Sequence, residues 1–222
     1  MEIPQITKKY PEYYTADGTK VKGVTTILKN VGWGNDALMY WAWQEGKYGR
    51  NYKDASQNAC GIGNFAHYLC ECFIKNIEPD TKKMPRDMLE QANNSCNSFK
   101  NFLNMNKLKI TDTEIGIVSE KMHYGGTIDC IAVDPDQRLH MIDIKTSNGM
   151  YGKYLLQLAA YGYLYKEKFE KKIHNYHIIR ISKQSGMFFH YCYEAIKMKI
   201  PYQAFLAALK LDMYEIIMKG MI

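Results

Sequence analysis

One short hairpin constrains this chain more than any other stretch. Two apolar runs, Thr127 to Val133 and Leu139 to Lys145, flank Asp134-Pro135-Asp136-Gln137. Asp and Pro are strong turn formers, and the flanking runs have the length and β-branched content of strands. Side chains alternate along a strand. Asp143 and Lys145 are two residues apart, so they share a face. If the turn closes with Val133 facing Leu139, Asp129 falls opposite Asp143. Like charges placed directly opposite are destabilising. A bound divalent cation removes that penalty, so the hairpin predicts a metal site as well as a piece of sheet.

The rest of the chain divides at this sheet. Residues 10–30 read as a hairpin turning at Ala16-Asp17-Gly18-Thr19, and Val24 to Leu28 begins a helical stretch. Residues 36–47, 57–76 and 85–106 have helical length and apolar spacing, with Glu78-Pro79-Asp80 as a break. Further on, Ile115 to Met122 alternates as a strand, and Gly125-Gly126 reads as the turn into Thr127. Lys153 to Lys166 is helical. Tyr176 to Ile181 and Met187 to Tyr193 form a strand pair around Ser185-Gly186. Pro201 opens a last helix, whose stripe of Tyr202, Phe205, Leu209, Met213 and Ile216 or Ile217 is expected core. The expected fold is mixed α/β, a mixed central sheet flanked by helices. One domain is expected over residues 1–222. Residues 1–110 form a mostly helical region covering the site, and 111–222 carry the sheet and the C-terminal helix.

The chemistry gathers around the hairpin. Asp129 and Asp143 are candidate ligands for Mg²⁺, which favours carboxylate, phosphate and water oxygens. Such an ion polarises a phosphate and acidifies its bound water. Lys145 can orient that water or neutralise charge developing on phosphorus. Gln157 and Tyr161, at i and i+4, present two polar tips on one helix face. Upstream, His67 and Glu71 are also i and i+4, following Gly63. Taken with the acids, His67 reads as a metal ligand or a water-orienting group. These residue types in this order suit phosphodiester cleavage.

Gly63 to His67, Gly126-Thr127-Ile128-Asp129, Asp143-Ile144-Lys145 and Gln157 to Tyr161 together resemble the PD-(D/E)xK nuclease superfamily, in its RecB-like branch. Weaker similarity reaches the mitochondrial genome maintenance exonuclease family through Val24 to Leu28 and Ser119-Glu120. The resemblance implies a restriction-endonuclease-like sheet and an Mg²⁺- or Mn²⁺-dependent exonuclease acting on single-stranded DNA. It implies catalytic Asp129, Asp143 and Lys145, with His67, Asp129 and Asp143 on the metal. Thr146, Ser147, Gln157 and Tyr161 would meet substrate, and Glu71 and Glu120 would support the ligands from behind. Ile128 stands where the family's name has proline. An endonuclease of the same fold and a non-catalytic nucleic-acid-binding subunit are the competing readings.

Composition narrows the setting. A net charge of +6 over 222 residues permits nucleic-acid binding without requiring it. No apolar run approaches the roughly 18 residues of a membrane span. Met1-Glu2-Ile3-Pro4 lacks the basic start and apolar core of a signal peptide, so a cytoplasmic location is expected. The six cysteines read as reduced packing thiols. They lack the C-terminal trio that some related nucleases use, so no iron–sulfur cluster is expected. Trp33, Trp41 and Trp43 are candidate platforms for base stacking.

Overall fold

A computed structural model describes residues 11–32, 35–82, 84–147, 149–181 and 188–221, without the side chains of 35–38 and 54–62. The Ser185-Gly186 turn, Met187 and Trp33 lie outside the described residues. The first hairpin pairs β1 (Tyr13–Tyr14) with β2 (Lys20–Gly23), and four helices follow. These are α1 (Val24–Asn30), α2 (Asn35–Lys47), α3 (Tyr52–Lys75) and α4 (Arg86–Met105). Local sequence sets the ends of α3. The Asn51 side chain accepts from the Lys53 amide at 3.0 Å, and Asn76 closes the helix in the left-handed conformation.

The second half brings β3 (Lys109–Ser119), β4 (Tyr124–Val133), β5 (Leu139–Lys145), α5 (Gly152–Phe169), β6 (Asn175–Ile181), β7 (Phe188–Glu194) and α6 (Lys199–Lys219). A 3-10 turn over Ala195–Met198 leads into α6, so Pro201 sits within its first turn. The strands make one seven-stranded mixed sheet in the order β1-β2-β4-β5-β6-β7, with β3 on the other edge of β4. The architecture is consistent with the restriction-endonuclease-like fold. Helices cover both faces. Phe65, Phe99 and Phe102 of α3 and α4 pack on Cys130, Ile142 and Ile179. Leu158 and Leu164 of α5 and Phe205 of α6 pack on Ile131, Met141 and Ile178. Among the described residues, no helix is long and apolar enough to cross a membrane.

Two expectations are corrected. Gly125-Gly126 is no turn: both lie inside β4, and the chain reverses one step earlier, between Ser119 and Tyr124. The glycines are there for close approach. A Cβ on Gly125 would stand 2.5 Å from Tyr13 Cγ, and one on Gly126 would stand 2.3 Å from Tyr161 Cε1. Gly126→Ala should therefore destabilise the fold by about 1–3 kcal/mol, the cost of overpacking. Urea unfolding would measure it, and an unchanged midpoint would show that the Tyr161 ring yields freely.

The second correction concerns α6. Phe205 and Leu209 are core, but Met213, Ile216 and Ile217 are each more than half exposed. The last buried contact of the helix is Asp212, which accepts from Lys22 Nζ at 2.7 Å and Asn30 Nδ2 at 2.8 Å.

A candidate metal-dependent active site

The site lies where one edge of β4 changes partner. At its start this edge pairs in parallel with β2, through Tyr124 and Gly125. At its end it pairs antiparallel with β5, from Cys130↔Ile142 to Val133↔Leu139. Between them, Gly126 to Asp129 have no strand neighbour on that side among the described residues. The register is the one the turn predicts, and its continuation sets Asp129 across from Asp143. The ladder has ended there, and the Asp129 side chain takes its place: Oδ2 accepts the Ile144 amide at 2.9 Å.

Side-chain alternation in β4 also slips at this point. Ile128 and Ile131 line the same core, whereas Cys130 lines the opposite one. Across the ladder stands Glu114, at φ +53°. Positive φ is uncommon for a residue with a Cβ, and such local strain collects at functional sites. The consequence is access from both layers. His67 of α3 brings Nδ1 to 3.8 Å from Asp129 Oδ2, from the side opposite α5. Ligand atoms of His67, Glu114 and Asp129 all lie within 4.8 Å of one another.

Asp143 is buried, with Lys145 Nζ 2.9 Å from Oδ1 and 2.8 Å from Oδ2. The lysine's hydrogen bond goes to Oδ1, and Oδ2 is held by the ion pair alone among the described residues. Burial pushes the carboxyl up to about 7, against the pull of Lys145 and helped by the charge of Asp129. Burial works against the Lys145 ammonium, but the two carboxylates outweigh it and hold its pKa above the ordinary value. Lys145 also lies over the Tyr154 ring, 5.1 Å from the centroid.

Gln157 and Tyr161 form a relay on α5. Gln157 Nε2 is 3.4 Å from Asp143 Oδ1 and 3.0 Å from the Tyr161 hydroxyl. Tyr161 is buried against Gly126, so it stands behind Gln157. Burial and the two aspartates push its hydroxyl well above the usual tyrosine range.

The remaining predicted residues are spread more widely. Thr146 and Ser147 follow β5 and are half-buried, with Ser147 Oγ donating to the Gly149 carbonyl at 2.8 Å. Glu71 is one turn beyond His67 and pairs with Lys75 at 2.5 Å. Glu120 accepts the Ala16 amide at 3.1 Å, bracing the first hairpin. Both acids are engaged away from the cluster. Trp43 is 59% exposed beside Tyr40, and Trp41 is half-buried.

Two residues of this region escaped sequence reading. Glu114 sits in an ordinary polar stretch, Thr111-Asp112-Thr113-Glu114, and only the strand pairing brings it to Asp129. Arg180 pairs with Lys145 in the β5–β6 ladder and donates to the Ser147 carbonyl at 3.1 Å, while its buried Nε has no partner among the described residues. Its one signal in sequence is a cation inside the apolar run Ile178 to Ile181.

The donor chemistry fits a hard divalent cation. Three carboxylates and one imidazole surround the gap, and the buried Asp143 carboxylate has the Lys145 ammonium as its charge partner. The structure brings Asp129, His67 and Glu114 into one ligand-sized group and holds Asp143 against Lys145 beside it.

No protein-family model matches the chain. No curated protein matches it either. Similar solved structures include a protein from Eubacterium rectale proposed to be an exonuclease, 14% identical, with a TM-score of 0.49. That match covers 72% of this chain and 66% of the other, just under two thirds of its length. Another is an alkaline exonuclease from Laribacter hongkongensis, 13% identical over 71% of this chain and 84% of the other, with a TM-score of 0.35. It has also been solved in complex with dAMP.

Proposed function

We propose that this protein is an Mg²⁺- or Mn²⁺-dependent deoxyribonuclease, an exonuclease that hydrolyses single-stranded DNA from a free end. The observation that carries the reading is the gap in the sheet at Asp129. Asp143, Lys145, His67 and Glu114 all converge on it, with the buried Asp143 carboxylate paired to the Lys145 ammonium.

Each residue has a defined task. The Ile144 amide fixes the rotamer of Asp129. Gln157, steadied by the Tyr161 hydroxyl, donates to Asp143 and limits its rotation. His67 and Glu114 close the donor set from the other layer. A divalent cation held by these groups supplies charge on the scissile phosphate and a more acidic water. Lys145 keeps its proton, so a fixed positive charge lies ready where negative charge develops on the phosphate.

Preference for a single strand rests on the resemblance and on the helical first half, which supplies His67 through α3. A duplex is a stiff rod far wider than one strand, and helices standing over the site would exclude it on size. Exposed Trp43 and Tyr40 on α2 are platforms on which unstacked bases can rest.

Digestion of end-labelled linear strands, circular single strands and matching duplex, with Mg²⁺ or with chelator, tests this reading. Linear single strands should be degraded only with the metal, faster than duplex, while circles survive. Cutting of circles would establish an endonuclease. Cutting of nothing would favour a binding subunit.

A further inference from the structure

Three histidines run edge to edge across the sheet on the face away from Asp143, toward the other end of β5. His140 of β5, His177 of β6 and His190 of β7 have ring centroids 5.1 Å apart at each step, with interplanar angles of 18° and 17°. Their nitrogens form a chain. His140 Nδ1 is 2.8 Å from His177 Nε2, and His177 Nδ1 is 2.8 Å from His190 Nε2. At the inner end, His140 Nε2 lies 3.3 Å from Asp134 Oδ2. At the outer end is Cys192, the cross-strand partner of His177. Ligand atoms of His177, His190 and Cys192 lie within 4.8 Å of one another. Phe102 of α4 closes the inner side, with its ring 4.7 Å from that of His190.

We propose that His177, His190 and Cys192 bind one borderline-soft divalent cation, zinc foremost, at a site separate from the carboxylate–lysine cluster. The order of protons supports it. His140 Nε2 makes no hydrogen bond among the described residues, but the Asp134 carboxylate beside it favours the proton on that nitrogen. His140 Nδ1 then accepts from His177 Nε2–H, and His177 Nδ1 is left as a lone pair aimed at the outer end. A metal-binding histidine is oriented by the partner of its other ring nitrogen, and for His177 that partner is His140.

The donor types exclude Mg²⁺, which requires oxygen, and suit zinc, which takes imidazole and thiolate together. A tetrahedral zinc with bonds of about 2.0–2.1 Å separates two nitrogens by about 3.4 Å. Seating the ion therefore needs the His177–His190 contact to open by about half an ångström and both rings to turn off their common line. His190 and Cys192 are exposed on the edge strand, so both are open to solvent and a water can fill the fourth position. Binding moves the His190 proton from Nε2 to its solvent-facing Nδ1, frees Nε2 for the ion, and releases the thiol proton of Cys192 to solvent. The ion would clip edge strand β7 to β6, where a free edge otherwise invites pairing with other chains.

Titration of the metal-stripped full chain with Co²⁺, followed by Zn²⁺, tests this. One Co²⁺ per chain should give strong visible bands and a thiolate-to-metal charge-transfer band, and Zn²⁺ should bleach both. Cys192→Ser should remove the charge-transfer band, and His190→Ala should weaken binding about 10- to 100-fold. Both side chains are exposed, so circular dichroism should show the variants folded. An Asp129→Asn/Asp143→Asn double variant should keep the band at full strength. Absence of the band in the wild-type chain would overturn the proposal. So would its survival in Cys192→Ser, or its loss in the carboxylate variant.

Discussion

Asp129→Asn and Asp143→Asn should each lower Mg²⁺-dependent DNA cleavage by about a thousandfold or more, the equivalent of several kcal/mol of transition-state stabilisation. Asparagine keeps the shape of both side chains and an oxygen able to accept the Ile144 amide. It removes the charge that a hard cation requires. Strand binding should persist, since contacts from scattered Lys and Arg to phosphates hold the DNA. Glu114→Gln is the graded control. It should raise the Mg²⁺ concentration for half-maximal cleavage while leaving the saturated rate close to wild type. Label release from a 5′-tagged strand across a metal titration measures all three. Wild-type turnover in either Asp variant would remove these carboxylates from the chemistry.

Lys145→Ala should cost stability as well as activity. Its ammonium is the charge partner of a carboxylate 2% exposed. Breaking a buried pair from one side typically costs about 3–5 kcal/mol. For a chain of this size that is roughly 6–20 °C in Tm. The sign of the pH dependence follows from Asp143. Burial already lifts its pKa to about 7 with the lysine beside it, above the ordinary carboxylate value. Without the lysine the folded state holds that proton more tightly still. The folded state then binds more protons than the unfolded one from about pH 4 upward, so stability falls as pH rises through that window. Calorimetry should show Lys145→Ala losing more Tm than wild type between acid and alkaline buffer. Adding Asp143→Asn should flatten the slope. An equal slope in all three proteins would mean that Asp143 is not the titrating group.

Much of this was legible from local sequence. Strand periodicity, the Asp134-to-Gln137 turn and one register give the pairing of β4 with β5 and the shared face of Asp143 and Lys145. Helical spacing gives α3, α4 and α5, and with them the i, i+4 relation of Gln157 and Tyr161. Such features depend on neighbours a few residues away, and the chain carries that information directly.

Long-range pairing decided the rest. Gly125 and Gly126 look like a turn because glycine permits one. Only the rings of Tyr13 and Tyr161, 112 and 35 residues away by position, show that they make room instead. The apolar spacing of α6 continues to Ile217, but burial stops at Asp212. Glu114 reaches His67 and Asp129 because β3 lies antiparallel on β4 and α3 packs over both. The column of His140, His177 and His190 is likewise scattered in sequence and contiguous only across three strands. Periodicity fixes which way a side chain points from its own element. Which elements stand opposite is set by burial of the whole core, and that is why the two acids, the lysine and the glutamine could be read from the chain while Glu114 and the histidine column could not.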